Sequence, residues 1–249
     1  MKPMSDAGAS PLIEAVIRAK TYRRPDGAPM EAVRRITLAV ARGEFVCLIG
    51  PSGCGKTTTL RILAGLDRAF EGEVKPDPAT LSIGVAFQEP RLLPWRTVEE
   101  NIRLVLTKVR RAMDLAPLIE RFGLSAHVTR YPGELSLGLA RRVSLARAMA
   151  LEPDLLVLDE PFVSLDAQAA AELRRYVALA ADGGTSVLMV THNVREALEL
   201  ADRVVMLAPR PTYVVEEVCL ALPRAMRDGP WIEAERATLA ARFPLLREG

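Results

Sequence analysis

Short apolar runs alternate along the chain with stretches in which apolar positions recur at helical spacing. Phe45 to Ile49, Ser82 to Phe87, Leu155 to Leu158, Ser186 to Val190 and Arg203 to Leu207 have the length and composition of strands. Several are apolar at consecutive positions, as in strands covered on both faces of a mainly parallel sheet. Lys56 to Gly65, Ser136 to Leu151, Asp166 to Ala181 and Val194 to Leu200 read as helices, several opening on a residue suited to capping. The alternation predicts an α/β core.

Two regions depart from it. From Thr97 to Leu151 the helical patterns follow one another without a convincing strand, and Thr97 with Glu100 has the spacing of a capping box, so this stretch is expected to be a helical insertion. Leu12 to Val40 carries two β-like runs around the turn-rich stretch Arg24 to Ala28, which predicts an antiparallel layer beside the core. After Leu222 come Pro223, Gly229 and Pro230, then an amphipathic helix from Trp231.

Composition narrows this further. With 249 residues, 49% hydrophobic and 26% charged, the chain has material for a sizeable core and is not of disordered type. A formal charge of +2 gives no overall field for nucleic acid, and no nucleic-acid partner is expected. Cys47, Cys54 and Cys219 form no CxxC pair, which speaks against a disulfide framework or structural zinc and fits a reducing compartment. Met1 to Ser10 lacks an export-signal pattern, and no stretch reaches the roughly 20 apolar residues that span a bilayer, so a membrane role is expected to come through a partner.

Gly50-Pro51-Ser52-Gly53-Cys54-Gly55-Lys56-Thr57-Thr58 follows one of these strands and opens a helix, the context that the GxxxxGK[ST] phosphate loop requires. Its glycines let backbone amides point at phosphate oxygens, and the helix N-terminus adds favourable dipole. Lys56 is expected to reach the β and γ phosphates and Thr57 to set its hydroxyl on Mg²⁺. Downstream, the strand Leu155 to Leu158 ends in Asp159 and Glu160. Adjacent positions of a strand point to opposite sides, so the two carboxylates are expected to divide the work. Asp159 would hold the Mg²⁺ shell and Glu160 would orient or deprotonate the attacking water.

Further elements follow in the order of the ABC transporter ATPase family, which the chain resembles over nearly its whole length. Gln88 matches the glutamine linking Mg²⁺ and attacking water to the membrane subunit. Leu135-Ser136-Leu137-Gly138-Leu139 looks like the family signature, Ser164-Leu165-Asp166 like the loop that crosses the dimer interface, and Thr191-His192 like the switch histidine. Tyr22 matches the aromatic that stacks on adenine. The resemblance implies ATP and Mg²⁺ as ligands and a homodimer, or a pair with a similar chain, sandwiching two nucleotides, with Ser136 and Gly138 of one subunit completing the site of the other. The usual LSGGQ is altered, Leu137 replacing its first glycine and Leu139 its glutamine. A branched side chain next to phosphate would slow hydrolysis, unless Leu137 turns away into packing.

Gln88-Glu-Pro-Arg-Leu92-Leu93-Pro94-Trp95 and the tail Leu220 to Arg227 look like those of importer ATPases of the nitrate, sulfonate and taurine group. That resemblance implies a membrane permease, indirect service to a periplasmic solute-binding protein, and a peripheral position on the cytoplasmic face of the inner membrane. Leu92, Leu93 and Trp95 then form an apolar docking surface for a permease helix, the alternative being that Trp95 packs inside the insertion. An exporter or lipid-handling ATPase uses the same core. A soluble repair or chromosome ATPase would need a coiled coil or zinc module that this insertion lacks. The expected fold is thus a RecA-like P-loop core with an antiparallel β layer, in one ABC ATPase domain over 1–249. Core and β layer fill 1–95 and 152–222, the helical subdomain 96–151 and the tail 223–249.

Overall fold

The computed structural model of the chain describes residues 10–107 and 112–243. The readings placed on residues 1–9, on 108–111 within the insertion and on the tail from 244 lie outside the described residues. Two compact units make up the chain, Met1–Thr80 with Ser186–Gly249, and Leu81–Thr185.

In the first unit, β1 (Ile13–Arg23) and β2 (Pro29–Val40) form an antiparallel hairpin, turning where the Arg24 and Ala28 backbones bond at 2.9 Å. A third strand, β4 (Glu71–Lys75), pairs with the other edge of β1, giving the order β2-β1-β4. Its sequence EGEVK has little apolar signal. The pairing needs Gly72, at φ 145°, where a Cβ would stand 2.0 Å from the Val16 carbonyl oxygen.

The same unit holds β3 (Phe45–Ile49), parallel to β7 (Ser186–Thr191) on one side and to β8 (Arg203–Leu207) on the other. Strand β9 (Val214–Cys219) adds to β8 in antiparallel sense and went unread in the sequence because two glutamates interrupt its apolar positions. Every residue of β3 and β7 is buried, as their consecutive apolar positions require. An alanine at Leu48 is expected to cost about 2–5 kcal/mol through lost transfer energy and the cavity it leaves. Helix α1 (Lys56–Leu63) follows β3. Helices α6 (Val194–Leu200) and α7 (Gly229–Arg242) pack together through Leu198, Ile232 and Leu239, with Met206 of β8.

In the second unit, β5 (Ile83–Ala86) runs parallel to β6 (Leu155–Asp159). Among the described residues four α-helices accompany them: α2 (Val98–Arg103), α3 (Ala116–Arg121), α4 (Leu137–Met149) and α5 (Ala167–Asp182). The capping box at the start of α2 is present, with Thr97 Oγ1 accepting from the Glu100 amide and Glu100 accepting from the Thr97 amide. Helix α4 lies so close to β5 that a Cβ on Gly84 would stand 2.5 Å from the Ala148 carbonyl oxygen. Among the described residues between Thr97 and Leu151 there is no strand, as expected. No described helix is long and apolar enough to cross a membrane.

Candidate active site

In the first unit, residues 50–55 connect the buried end of β3 to the first turn of α1. The Cys54 amide bonds the Pro51 carbonyl at 3.2 Å and closes the loop on itself. Gly55 has φ 123°, and a Cβ on it would stand 2.7 Å from Thr212 Oγ1 and 3.0 Å from the Ala32 carbonyl oxygen. Only glycine takes that conformation in that space. Lys56, 4% exposed, donates from Nζ to the carbonyls of Gly50 (2.8 Å) and Pro51 (3.0 Å). The ammonium therefore lies within the loop it serves. Pro51, Ser52 and Gly53 form the accessible rim, Thr57 and Thr58 are half-buried, and Arg210 donates to the Gly53 carbonyl at 2.6 Å.

Tyr22, near the end of β1, donates its hydroxyl to Asp67 Oδ2 at 3.0 Å and lies 3.5 Å from Thr58 Oγ1. Lys20 Nζ bonds Asp67 Oδ1 at 2.7 Å and lies 4.6 Å from the Tyr22 ring centroid. Burial works against the Asp67 charge, yet the hydrogen bonds from Lys20, Tyr22 and the Ala69 amide outweigh it and hold the carboxyl below its ordinary range. The ring expected to stack on adenine is thus fixed beside the phosphate loop and carries a cation over one face.

The parallel register pairs Ile49 with Thr191, so the phosphate loop and His192 leave neighbouring strand ends. His192 is exposed, and the residues on both sides of it are held by one buried acid. Thr191 Oγ1 donates to Glu196 Oε2 at 2.6 Å, and Asn193 Nδ2 donates to Glu196 Oε1 at 3.3 Å. Glu196 is thus a further member of the site. The spacing Asn193-x-x-Glu196 ahead of an apolar run was the available signal, since it has the form of a capping box.

In the second unit, Ala86 pairs with Leu158, and Gln88 and Glu160 each stand two residues beyond that paired position on neighbouring strands. Asp159 closes β6 and is buried. Glu160 lies outside the strand at φ 45° and is half-buried. This corrects the expectation that strand alternation parts the two carboxylates, because a left-handed turn and not the pleat aims Glu160. Gln88 is exposed and stands two residues beyond β5, which ends at Ala86 and not at Phe87.

The loop after Gln88 is held by side chains. Arg147 of α4 donates to the carbonyls of Pro90 (2.8 Å) and Arg91 (2.9 Å). Asn101, fully buried, accepts from the Leu93 amide and donates to the carbonyls of Leu93, Arg96 and Thr97. On this loop Trp95 is 67% exposed, which overturns its reading as a packed residue of the insertion.

Ser136 caps α4, its Oγ accepting from the Leu139 amide at 3.3 Å. Leu137 is 43% exposed, so it does not turn away into packing. A Cβ on Gly138 would come within 3.1 Å of Ala169 Cβ and 4.0 Å of Leu165, which brings the start of α4 against the segment carrying Asp166. Asp166 caps α5 by accepting from the Ala169 amide at 2.9 Å.

These donor sets suit a nucleotide and a hard cation. The phosphate loop leaves open space at Gly53, where a Cβ would meet no heavy atom within 4 Å, and runs into a helix start whose first amides have no intrahelical acceptor. In the first unit Thr57 offers a hydroxyl, and in the second Asp159 offers a carboxylate and Gln88 an amide oxygen, each of the oxygen type that Mg²⁺ takes. The ABC transporter profile matches residues 33–163, more than half of the chain. The chain belongs to the ABC transporter family. An aliphatic sulfonates import ATP-binding protein SsuB 2 of Burkholderia cenocepacia is 41% identical over 244 residues, covering 94% of this ABC chain and 88% of that protein. An aliphatic sulfonates import ATP-binding protein of Xanthomonas axonopodis is 43% identical over 206 residues, 78% of this chain and 82% of that one. The dimeric structure of an ATP-binding cassette in a post-hydrolysis state bound to ADP and Pi is 27% identical. It has a TM-score of 0.74 and covers 85% of this chain and 100% of its own. The fold is thus that of a P-loop NTPase, and the chain is an ATP-binding cassette that hydrolyses ATP.

Proposed function

We propose that this ABC cassette is the ATP-hydrolysing subunit of an importer for aliphatic sulfonates. The observation that carries this reading is about 40% identity, across most of both chains, to proteins that carry that import function in their names. The narrower sulfonate assignment replaces the wider nitrate, sulfonate and taurine group.

In this reading the whole chain, 1–249, is one ABC ATPase domain with a helical subdomain at 96–151 and a tail from 223. Residues 50–58 cradle the nucleotide phosphates, Lys56 neutralises charge at the β and γ positions, and Tyr22 stacks on adenine. Thr57, Gln88 and Asp159 hold Mg²⁺, which when bound neutralises charge on the phosphate oxygens. Glu160 orients the attacking water and takes its proton, and His192 donates to a γ-phosphate oxygen. Two copies sandwich two nucleotides, and Ser136, Gly138 and the Asp166 segment of one copy complete the other's site.

The cassette works from the cytoplasmic face of the membrane with a permease, which a periplasmic binding protein supplies with solute. The loop Leu92 to Trp95 supports a docking role, since an exposed tryptophan on a backbone fixed by Asn101 and Arg147 is a preorganised anchor for a partner helix. Reconstitution of the chain with its permease and binding protein in liposomes tests the assignment. ATP-driven uptake of a labelled alkanesulfonate, competed by other alkanesulfonates and not by nitrate, is the expected result. Uptake competed equally by nitrate, or outward transport only, would refute it.

A further inference from the structure

Helix α4 does more in this structure than present Ser136 and Gly138 at its start. Further along it carries two buried arginines, Arg141 and Arg147, six residues apart. That spacing separates them by about 9 Å along the axis and about 120° around it, so one rigid helix reaches two different loops. Arg141 Nη1 donates to the Pro161 carbonyl at 2.7 Å, next in sequence to Glu160. Arg147 donates to the carbonyls of Pro90 and Arg91, which follow Gln88.

Both bonded segments contain a non-glycine residue in the left-handed region, Glu160 at φ 45° and Arg91 at φ 47°. Such conformations persist only where the surroundings impose them. In both cases a guanidinium from α4 bonds a carbonyl of the same or the next residue. Burial lowers the pKa of each arginine, and the bonds recorded for them among the described residues go to backbone carbonyls and not to carboxylates. A desolvated cation without a counter-charge is a poor stabilising device, whereas it is a good way to hold a carbonyl in one position.

We propose that Arg141 and Arg147 are positioning residues through which α4 sets the Glu160 turn and the Gln88 loop together. Engagement of nucleotide at the Ser136 end of the helix is thereby communicated to the hydrolytic carboxylate and to the permease-facing loop. This inference rests on the roles given above to Glu160 and Gln88.

The test uses the full-length chain, alone and assembled with its permease, with Arg141→Ala, Arg141→Lys, Arg147→Ala and Arg147→Lys. Turnover, the KM for ATP, affinity for a fluorescent ATP analogue and the thermal midpoint are measured for each. For Arg141→Ala, turnover is expected to fall at least about tenfold with KM and analogue affinity within about twofold, since an aligning contact acts on the transition state. Added guanidinium ion should restore part of that turnover. For Arg147→Ala, permease stimulation of ATPase is expected to vanish while the isolated chain loses less activity. Should the alanine variants not fold, the lysine variants answer the same question, because lysine keeps the charge but loses the planar donor set.

Unchanged turnover in the Arg141 variants overturns the proposal. So does a loss that tracks the thermal midpoint and analogue affinity and resists guanidinium. Glu160→Gln run in parallel separates the two levels: retained turnover there would remove the site assignment itself, whereas lost turnover there with normal Arg141 variants removes only the positioning role.

Discussion

The phosphate loop and the loop that follows Gln88 are held in opposite ways. The first is built from backbone: a buried strand end, a turn closed by Cys54 and Pro51, a glycine where a Cβ would collide, and a lysine bonded to carbonyls of its own loop. The second is held from outside, by Arg147 and Asn101, side chains that come from two different helices. A backbone-coded loop is a short continuous motif and answers chiefly to local substitutions, even though Arg210 reaches the Gly53 carbonyl from far along the chain. A loop held by distant side chains takes its shape from the packing of helices, which suits a part that must respond to a partner.

Substitutions can break or sharpen this contrast. Glu160→Gln should have the largest effect, lowering turnover by about 10²–10⁴-fold as expected for loss of a general base, and leaving a nucleotide-trapped dimer detectable by size-exclusion chromatography. Turnover at the original rate would contradict the role given to Glu160. Gly55→Ala attacks the backbone-coded loop directly. It should weaken ATP affinity by about 10²-fold, the loss of two or three phosphate hydrogen bonds, in equilibrium binding with a fluorescent analogue.

Trp95→Ala attacks the other loop at its exposed tip, and co-purification should report permease association weakened by about 30-fold, the scale of a hot-spot side chain. Its thermal midpoint should stay near that of the parent, because the side chain is outside the packed interior. Leu137→Gly should raise turnover several-fold in steady-state assays, and no rise would show that the exposed leucine does not hinder closure.

The smallest effect concerns the Tyr22 platform. The Asp67 carboxyl is held below its ordinary pKa, so its stabilisation is fully present above about pH 4 and is lost as pH falls through the lowered folded-state value. The stability gap between the parent and Asp67→Asn, followed by chemical denaturation, should therefore be widest near neutral pH and close in acid.

The same contrast explains what could be read in the sequence. Strands β3 and β8 and helix α6 match their expected limits because unbroken apolar runs and caps encode them locally. The phosphate loop was legible for the same reason. Strand β4 was not, because EGEVK becomes a strand only through its partner β1 and the close approach that Gly72 permits. Glu160 is legible as a carboxylate at a strand end but its aim is not, since a left-handed turn leaves no mark on residue type. Residue type does not distinguish Arg141 and Arg147 from the other arginine of α4, Arg142, and only the burial of α4 shows that both point inward. Glu196 carries a local signal in its spacing from Asn193.

The chain contains two tryptophans, and they live in different surroundings. Trp231 is half-buried against the α6 and α7 cluster, while Trp95 stands in water on its fixed loop. Iodide quenching therefore addresses chiefly one indole. When a permease helix covers that indole, emission should move to shorter wavelength and the quencher lose access, so the unlabelled protein carries its own optical reporter of assembly.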